Sequence, residues 1–257
     1  MKHLLFLFFF SCFSLVAQEL KPVSSRPLEA TTFIGVDAYK NTYYINESVL
    51  HKQGPEGDFA FKDFQLGNIS SVDIINPLKL VLFHEDTNTV VFLDNRLNEI
   101  ERINFNNLPE FINISTATNA GNNRLWVFNV DTQQLELYNY RSNSKTTISQ
   151  PFAGKLMSQA SNFNYCFILT ENMLLSFNIY GSLLSETEAK GFSMIAQQGD
   201  VLVALKESSL FRSTENSFEA VKLPISENNI KDLFITQEFL YIYDGKSLLT
   251  FSITQPK

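Results

Sequence analysis

The sequence predicts an all-β fold: a six-bladed β-propeller of four-stranded antiparallel blades, preceded by a signal peptide. Three observations lead there. Short β-branched and aromatic runs recur at a spacing near 40 residues, each is followed by a polar turn and a second apolar run, and the chain opens on an apolar segment of limited length.

Met1-Lys2-His3 supplies a basic start, and Leu4 to Val16 is apolar apart from Ser11, Cys12 and Ser14. Such a run falls short of the roughly 20 residues a bilayer requires. Ala17 followed by Gln18 suits cleavage, so residues 1–17 read as a secretory signal peptide. Cys12 after Phe9-Phe10-Ser11 resembles a lipoprotein box, but Phe13 to Val16 carries the apolar run past it, which favours the cut before Gln18. With Lys2 removed, 19 basic residues face 27 acidic ones, a net charge of −8 against −7 for the whole chain. Without a basic stripe, that balance argues against a nucleic-acid partner. Cys166 is then the one remaining cysteine; it has no internal disulfide partner, and its neighbours Tyr165 to Leu169 mark it as a buried side chain rather than a nucleophile.

Residues 18–257 read as a single domain, with no second apolar stretch of membrane length and one linker-like piece, Lys21 to Glu29. Taking Tyr44, Leu82, Val127, Phe167, Val203 and Tyr241 as the centres of the strong runs gives intervals of 38, 45, 40, 36 and 38 residues. This is one unit repeated six times. The fullest copy runs through Val72 to Ile75, Leu80 to Phe83, Val90 to Leu93 and Ile100 to Phe105, four short strands of a meander. The middle runs are apolar on both faces, as a sheet stacked between two others requires. Outer runs such as Glu99-Ile100-Glu101-Arg102-Ile103 carry rim charges. Four-stranded sheets repeated radially form a propeller, whereas a sandwich or barrel predicts no six similar quartets. The expected blades are 31–67, 69–108, 112–152, 156–190, 192–225 and 229–254. The last has room for about three strands, and the segment Glu19 to Ser24 is free to supply the fourth and close the ring non-covalently.

Asn88-Thr89-Val90-Val91-Phe92-Leu93-Asp94 and Phe128 to Leu135 show a strand, polar turn, strand pattern that resembles the exported NHL-like and quinoprotein-like propeller repeats. The resemblance spans nearly the whole mature chain. It lacks the regular glycines of the first group and the recurrent tryptophan of the second, Trp126 standing alone, so no quinone is implied.

Chemistry-bearing residues are sparse. His51 and His84 are the histidines outside the leader; His84 enters the turn Glu85-Asp86-Thr87-Asn88, where a solvated turn is favoured over a metal cluster. No nucleophile elbow, phosphate loop or zinc motif occurs. The most specific enzymatic alternative resembles the calcium-dependent propeller hydrolases and lactonases, with Asp73, Asn113 and Asp232 converging on a channel Ca²⁺. Polar residues facing a wet channel are the simpler account of those three. In a four-stranded meander the turn between second and third strands shares a side with the connection to the next blade, and these turns contain Glu47, Glu85 and Asp86, Asp131, Glu171, Glu207 and Asp244. An acidic rim of this kind can steer a cation or a basic protein; ordinary solvated turns of an acidic protein produce the same pattern.

These features favour a monomeric, non-enzymatic binding or scaffold protein without a cofactor. It would use a propeller face to contact another envelope protein in the periplasm or at the surface of a Gram-negative bacterium. A sugar- or peptide-binding receptor is a further alternative, and it requires exposed aromatics converging in a pocket.

Overall fold

A computed structural model describes residues 20–214, 217–221, 223 and 229–253. The leader, the Gln18 cut and Cys12 lie outside the described residues. The N-terminal strand β1 (Leu20–Pro27) precedes five sheets that each follow the chain order. Blade I is β2 (Thr32–Val36), β3 (Thr42–Asn46), β4 (Val49–Gly54) and β5 (Gly57–Phe61). Blade II is β6 (Ser71–Asp73), β7 (Leu80–His84), β8 (Thr89–Leu93) and β9 (Glu99–Asn104). Blade III is β10 (Ile114–Asn119), β11 (Arg124–Asn129), β12 (Gln134–Asn139) and β13 (Ser144–Thr147). Blade IV is β14 (Leu156–Ser161), β15 (Tyr165–Thr170), β16 (Met173–Asn178) and β17 (Leu183–Glu188). Blade V is β18 (Phe192–Gln198), β19 (Val201–Lys206), β20 (Ser209–Ser213) and β21 (Phe218–Val221). Blade VI is β22 (Asp232–Ile235), β23 (Phe239–Tyr243) and β24 (Ser247–Ile253), with β1 as its outer strand.

The ring therefore closes as the short sixth repeat requires. β1 runs antiparallel to β24 from Leu20 opposite Ile253 to Pro27 opposite Ser247, so the first described strand completes the last blade. Side chains then tie the seam to blade I. Tyr243 donates its hydroxyl to Ala30 O at 2.7 Å, Asp232 Oδ2 accepts from Phe33 N at 2.9 Å, and Arg26 donates to Thr42 Oγ1 at 2.6 Å. Gly35 packs under the ring of Phe234, where a Cβ would stand 2.6 Å from Cδ2, so the seam needs glycine at that point.

The core is six layers, one between each pair of neighbouring blades. Alternation along the second strand explains why: in β7, Leu80 and Leu82 pack toward blade I with Tyr43 and Leu50, while Val81 and Phe83 pack toward blade III with Leu125 and Val127. Both faces are dry, so every residue of β7 and β8 is buried. Outer strands such as β13 are mostly exposed. Among the described residues no helix is long and apolar enough to cross a membrane.

Candidate functional site

Strand parity gives the propeller two unlike faces. Turns between second and third strands join the blade connections on one face; turns between first and second, and between third and fourth, share the other. The seven rim acids lie on the first, as their chain positions require. Glu47 and Glu207 sit at left-handed turn positions, with φ of 48° and 54°. Several of the others hold local structure: Asp244 Oδ1 accepts from Lys246 N and Ser247 N, Asp131 Oδ1 accepts from Asn113 Nδ2, and Glu171 Oε2 accepts from Lys155 N. Glu85 and Asp86 are exposed.

The structure does not gather Asp73, Asn113 and Asp232. Asp73 ends its inner strand, whereas Asn113 precedes β10 and Asp232 begins β22, which puts the first at the opposite mouth of the channel from the other two. Each is engaged elsewhere. Asp73 Oδ1 accepts from Ile75 N at 2.9 Å and its Oδ2 from Asn119 N at 2.6 Å, Asn113 binds Asp131, and Asp232 belongs to the ring seam. Among the described residues no three His, Cys, Asp or Glu side chains stand close enough to share a metal ion. The channel wall between blades III and IV is instead a hydroxyl and amide network, in which Thr116 donates to Gln159 Oε1 and Ser161 donates to Thr118 Oγ1.

His84 departs from the solvated turn expected of it. It is fully buried at the end of β7, and burial pushes its pKa down. The connection from blade I folds over it: Ser70 N donates to Phe83 O, and Thr87 Oγ1 donates to Leu66 O. Sequence spacing does not show such a lid, because the covering residues belong to the preceding repeat. Cys166 is buried as expected, its thiol pKa pushed up by desolvation.

The opposite face carries the feature that residue type alone did not single out. A groove of about 530 Å³ runs over the turns of blades II, III and IV, floored by Asn119 to Arg124 and walled by Lys79, Tyr140, Phe163 and Tyr180. Its floor is the β10–β11 turn, where Gly121, Asn122 and Asn123 all have positive φ (65°, 50° and 61°). Glycine and asparagine tolerate that region best, and Phe163 packs against Gly121. On the blade II side, Glu101 is clamped: Lys79 donates to Oε1 at 2.9 Å and Arg141 makes a two-pronged contact at 2.8 and 2.9 Å. Burial opposes its ionisation, but these hydrogen bonds and charges outweigh burial and hold the carboxyl below the ordinary range. Arg124 differs from both cations. Its Nε is buried without a hydrogen-bond partner, and its guanidinium makes no ion pair among the described residues.

No family model matches the chain, and no curated protein matches it. Solved structures do. Virginiamycin B lyase from Staphylococcus aureus, in a catalytically inactive form with quinupristin, aligns over 90% of this chain and 99% of its own, at 9% identity and a TM-score of 0.61. BamB from Moraxella catarrhalis aligns over 93% and 99%, at 9% identity and 0.55. A chain of the mitotic checkpoint complex aligns over 99% of each, at 10% identity and 0.63. What they share with this chain is the propeller fold. A lyase and a chain of a multiprotein complex stand among these propellers, so the fold does not choose between catalysis and binding, and the choice rests on this chain's own surfaces.

Asp73 has a measurable pH signature. Burial pushes Asp73 up to about 6, against the two backbone donors that favour its charged form. A carboxyl raised above its unfolded value near 3.9 stabilises the fold below that value and loses the contribution as pH rises through about 6, an effect of roughly 2–3 kcal/mol. His84, buried and lowered, acts with the opposite sign, losing stability as pH falls below its unfolded value of about 6.5. Asp73→Asn is therefore expected to remove the Asp73 part alone. In urea unfolding at pH 4.5 and pH 7, the change in stability on going to the higher pH should be less favourable for the wild type than for the variant; equal changes would contradict the assignment.

Proposed function

We propose that the protein is a non-enzymatic binding protein that takes its ligand on the face opposite the acidic rim, exported to the periplasm or surface of a Gram-negative bacterium. One observation carries this reading: blade IV presents Phe163, Tyr165, Tyr180, Leu183 and Leu184 exposed on that face and its edge, beside the groove that holds Arg124. Tyr180 is 89% exposed. Aromatic and arginine side chains grouped at a concavity are what recognition surfaces concentrate, whereas singly exposed rings such as Phe64, on the acidic-rim face, are ordinary surface. Tyr39 and Leu78 extend the apolar character to blades I and II.

Tyr140, Phe163 and Tyr180 lining one groove support the receptor reading, which is favoured here over a simple scaffold. The scaffold reading draws on Leu183 and Leu184 at the blade edge, outside the groove, as a site for an envelope protein. The calcium-dependent hydrolase reading has less support, because its three residues stand at different mouths of the channel and are bound to neighbours.

Co-sedimentation of the purified protein with cell envelopes of its source tests the choice of face. Phe163→Ala with Tyr180→Ala should lower the bound fraction severalfold, and Glu85→Ala with Asp86→Ala should leave it nearly unchanged. The reverse pattern would transfer the function to the acidic rim.

A further inference from the structure

The groove is biased toward hydrogen-bond donors, and the bias is fixed by covalent chemistry. A backbone N–H or a hydroxyl that donates to an asparagine side chain must meet its oxygen, which leaves the NH₂ group turned elsewhere. Three groove residues are held this way. Asn76 Oδ1 accepts from Leu78 N, Asn119 Oδ1 from Gly121 N, and Asn123 Oδ1 from the hydroxyl of Tyr140, which itself accepts from Lys79. Their Nδ2 groups make no hydrogen bond among the described residues, and neither does the guanidinium of Arg124. Local charge runs the same way: the charged residues that line the groove are Lys79 and Arg124, and no carboxylate among the described residues lines it; Glu101, beside it, is bound by Lys79 and Arg141 and leaves Arg124 uncompensated. The protein as a whole is acidic, so a cationic groove runs against the charge of the rest of the chain.

Unused donors with a net positive field call for a ligand rich in acceptors and negatively charged. Flat exposed rings at Phe163 and Tyr180 call for one that also offers apolar faces. The groove is open and crosses three blades, which suits a chain rather than an enclosed small molecule. A peptide backbone fixes each N–H beside its carbonyl, whereas a sugar hydroxyl can rotate its O–H toward solvent and offer its lone pairs to the groove. A saccharide chain bearing carboxylates offers hydroxyl, ring and carboxylate oxygens to the donors and C–H faces to the rings.

We propose that this groove binds an acidic saccharide, a uronate-bearing chain, with Arg124 taking a carboxylate in a forked contact, the three asparagine amides taking sugar oxygens, and Phe163 and Tyr180 stacking on the rings. The proposal rests on the reading that this face is the binding face, and it names the ligand class. Two-pronged arginine–carboxylate contacts are the strong, geometry-specific kind, which makes Arg124 the side chain that discriminates acidic from neutral sugars.

Calorimetric titration of the purified protein with oligogalacturonate tests it, with maltohexaose as the neutral comparator and hexaglutamate as the acidic peptide. Oligogalacturonate should bind, weaken as salt is raised, and exceed maltohexaose by about tenfold or more. Arg124→Ala should remove that preference, while Arg124→Lys, which keeps the charge and loses the fork, should retain part of it. Melting curves confirm that each variant is folded. Absence of oligogalacturonate binding, a preference for it over maltohexaose that survives in Arg124→Ala, or tighter binding of hexaglutamate would each overturn the proposal. If oligogalacturonate fails while envelope co-sedimentation still depends on Phe163 and Tyr180, the ligand class is wrong and the binding face stands; if both fail, the face is wrong as well.

Discussion

Removing residues 20–27 from the protein should abolish cooperative folding. β1 is the outer strand of blade VI, and its loss exposes β24 along a ladder that runs from Ser247 to Ile253. It also takes Leu20 out of the layer it shares with Ile242, Leu240 and Phe251. Burial of one leucine is worth about 2–3 kcal/mol, and each ladder hydrogen bond adds about 1 kcal/mol net. Several of these together rival the 5–15 kcal/mol that holds a typical domain folded. The open edge then becomes a template for pairing with another chain, so aggregation is expected beside unfolding. Urea titration and size-exclusion chromatography measure both. Leu20→Ala, which keeps the strand, should cost only about 2–3 kcal/mol, and a synthetic peptide of residues 20–27 added to the truncated protein should restore much of its stability. A truncated protein within 1 kcal/mol of the intact one would show that the ring does not depend on this closure.

The second large effect is expected at Trp126. Its side chain is fully buried in the layer between blades III and IV, with Cys166, Ile168 and Leu137, and its Nε1 donates to Asn162 O at 3.0 Å. Trp126→Ala leaves a cavity costing about 3–5 kcal/mol, and it also frees a carbonyl in the turn after β14. Trp126→Phe should cost less, since it refills most of the space and loses the hydrogen bond. Tyr180→Ala, at an exposed site, should change stability by no more than about 0.5 kcal/mol. Circular dichroism during urea unfolding ranks the three. The effect reaches the groove, because Asn162 also accepts from Asn164 N and Tyr165 N and so shapes the turn that carries Phe163. Trp126→Phe is therefore expected to weaken ligand binding as well as the fold.

The blades were legible in the sequence for a physical reason. A strand packed between two sheets must be apolar at consecutive positions, and Leu80 to Phe83 or Leu125 to Phe128 satisfy this so fully that their spacing alone reveals the repeat. The use of the N-terminal segment in blade VI followed from a missing strand, and the face of the rim acids followed from strand parity. Relations between repeats were not legible. Asp73 binds Asn119 of the next blade, His84 is covered by the connection from the previous one, and Arg124 stands in a groove shared by three blades. Asparagines 76, 119 and 123 look like ordinary turn residues, and their oxygens do hold turns or a neighbouring tyrosine; only the fold shows that all three line the same groove. The proposed calcium ligands share the lesson from the other side, since residue type suggested a site whose members the blades hold apart.

The choice of face is tested most directly by site-specific photo-crosslinking in living cells of the source organism. A photoreactive side chain replaces Tyr180 in one variant and Glu85, on the opposite rim, in another. Adducts to an envelope component formed from position 180 and not from position 85 are the expected result. Adducts formed only from position 85 would place recognition on the acidic rim and contradict a binding site built around Arg124.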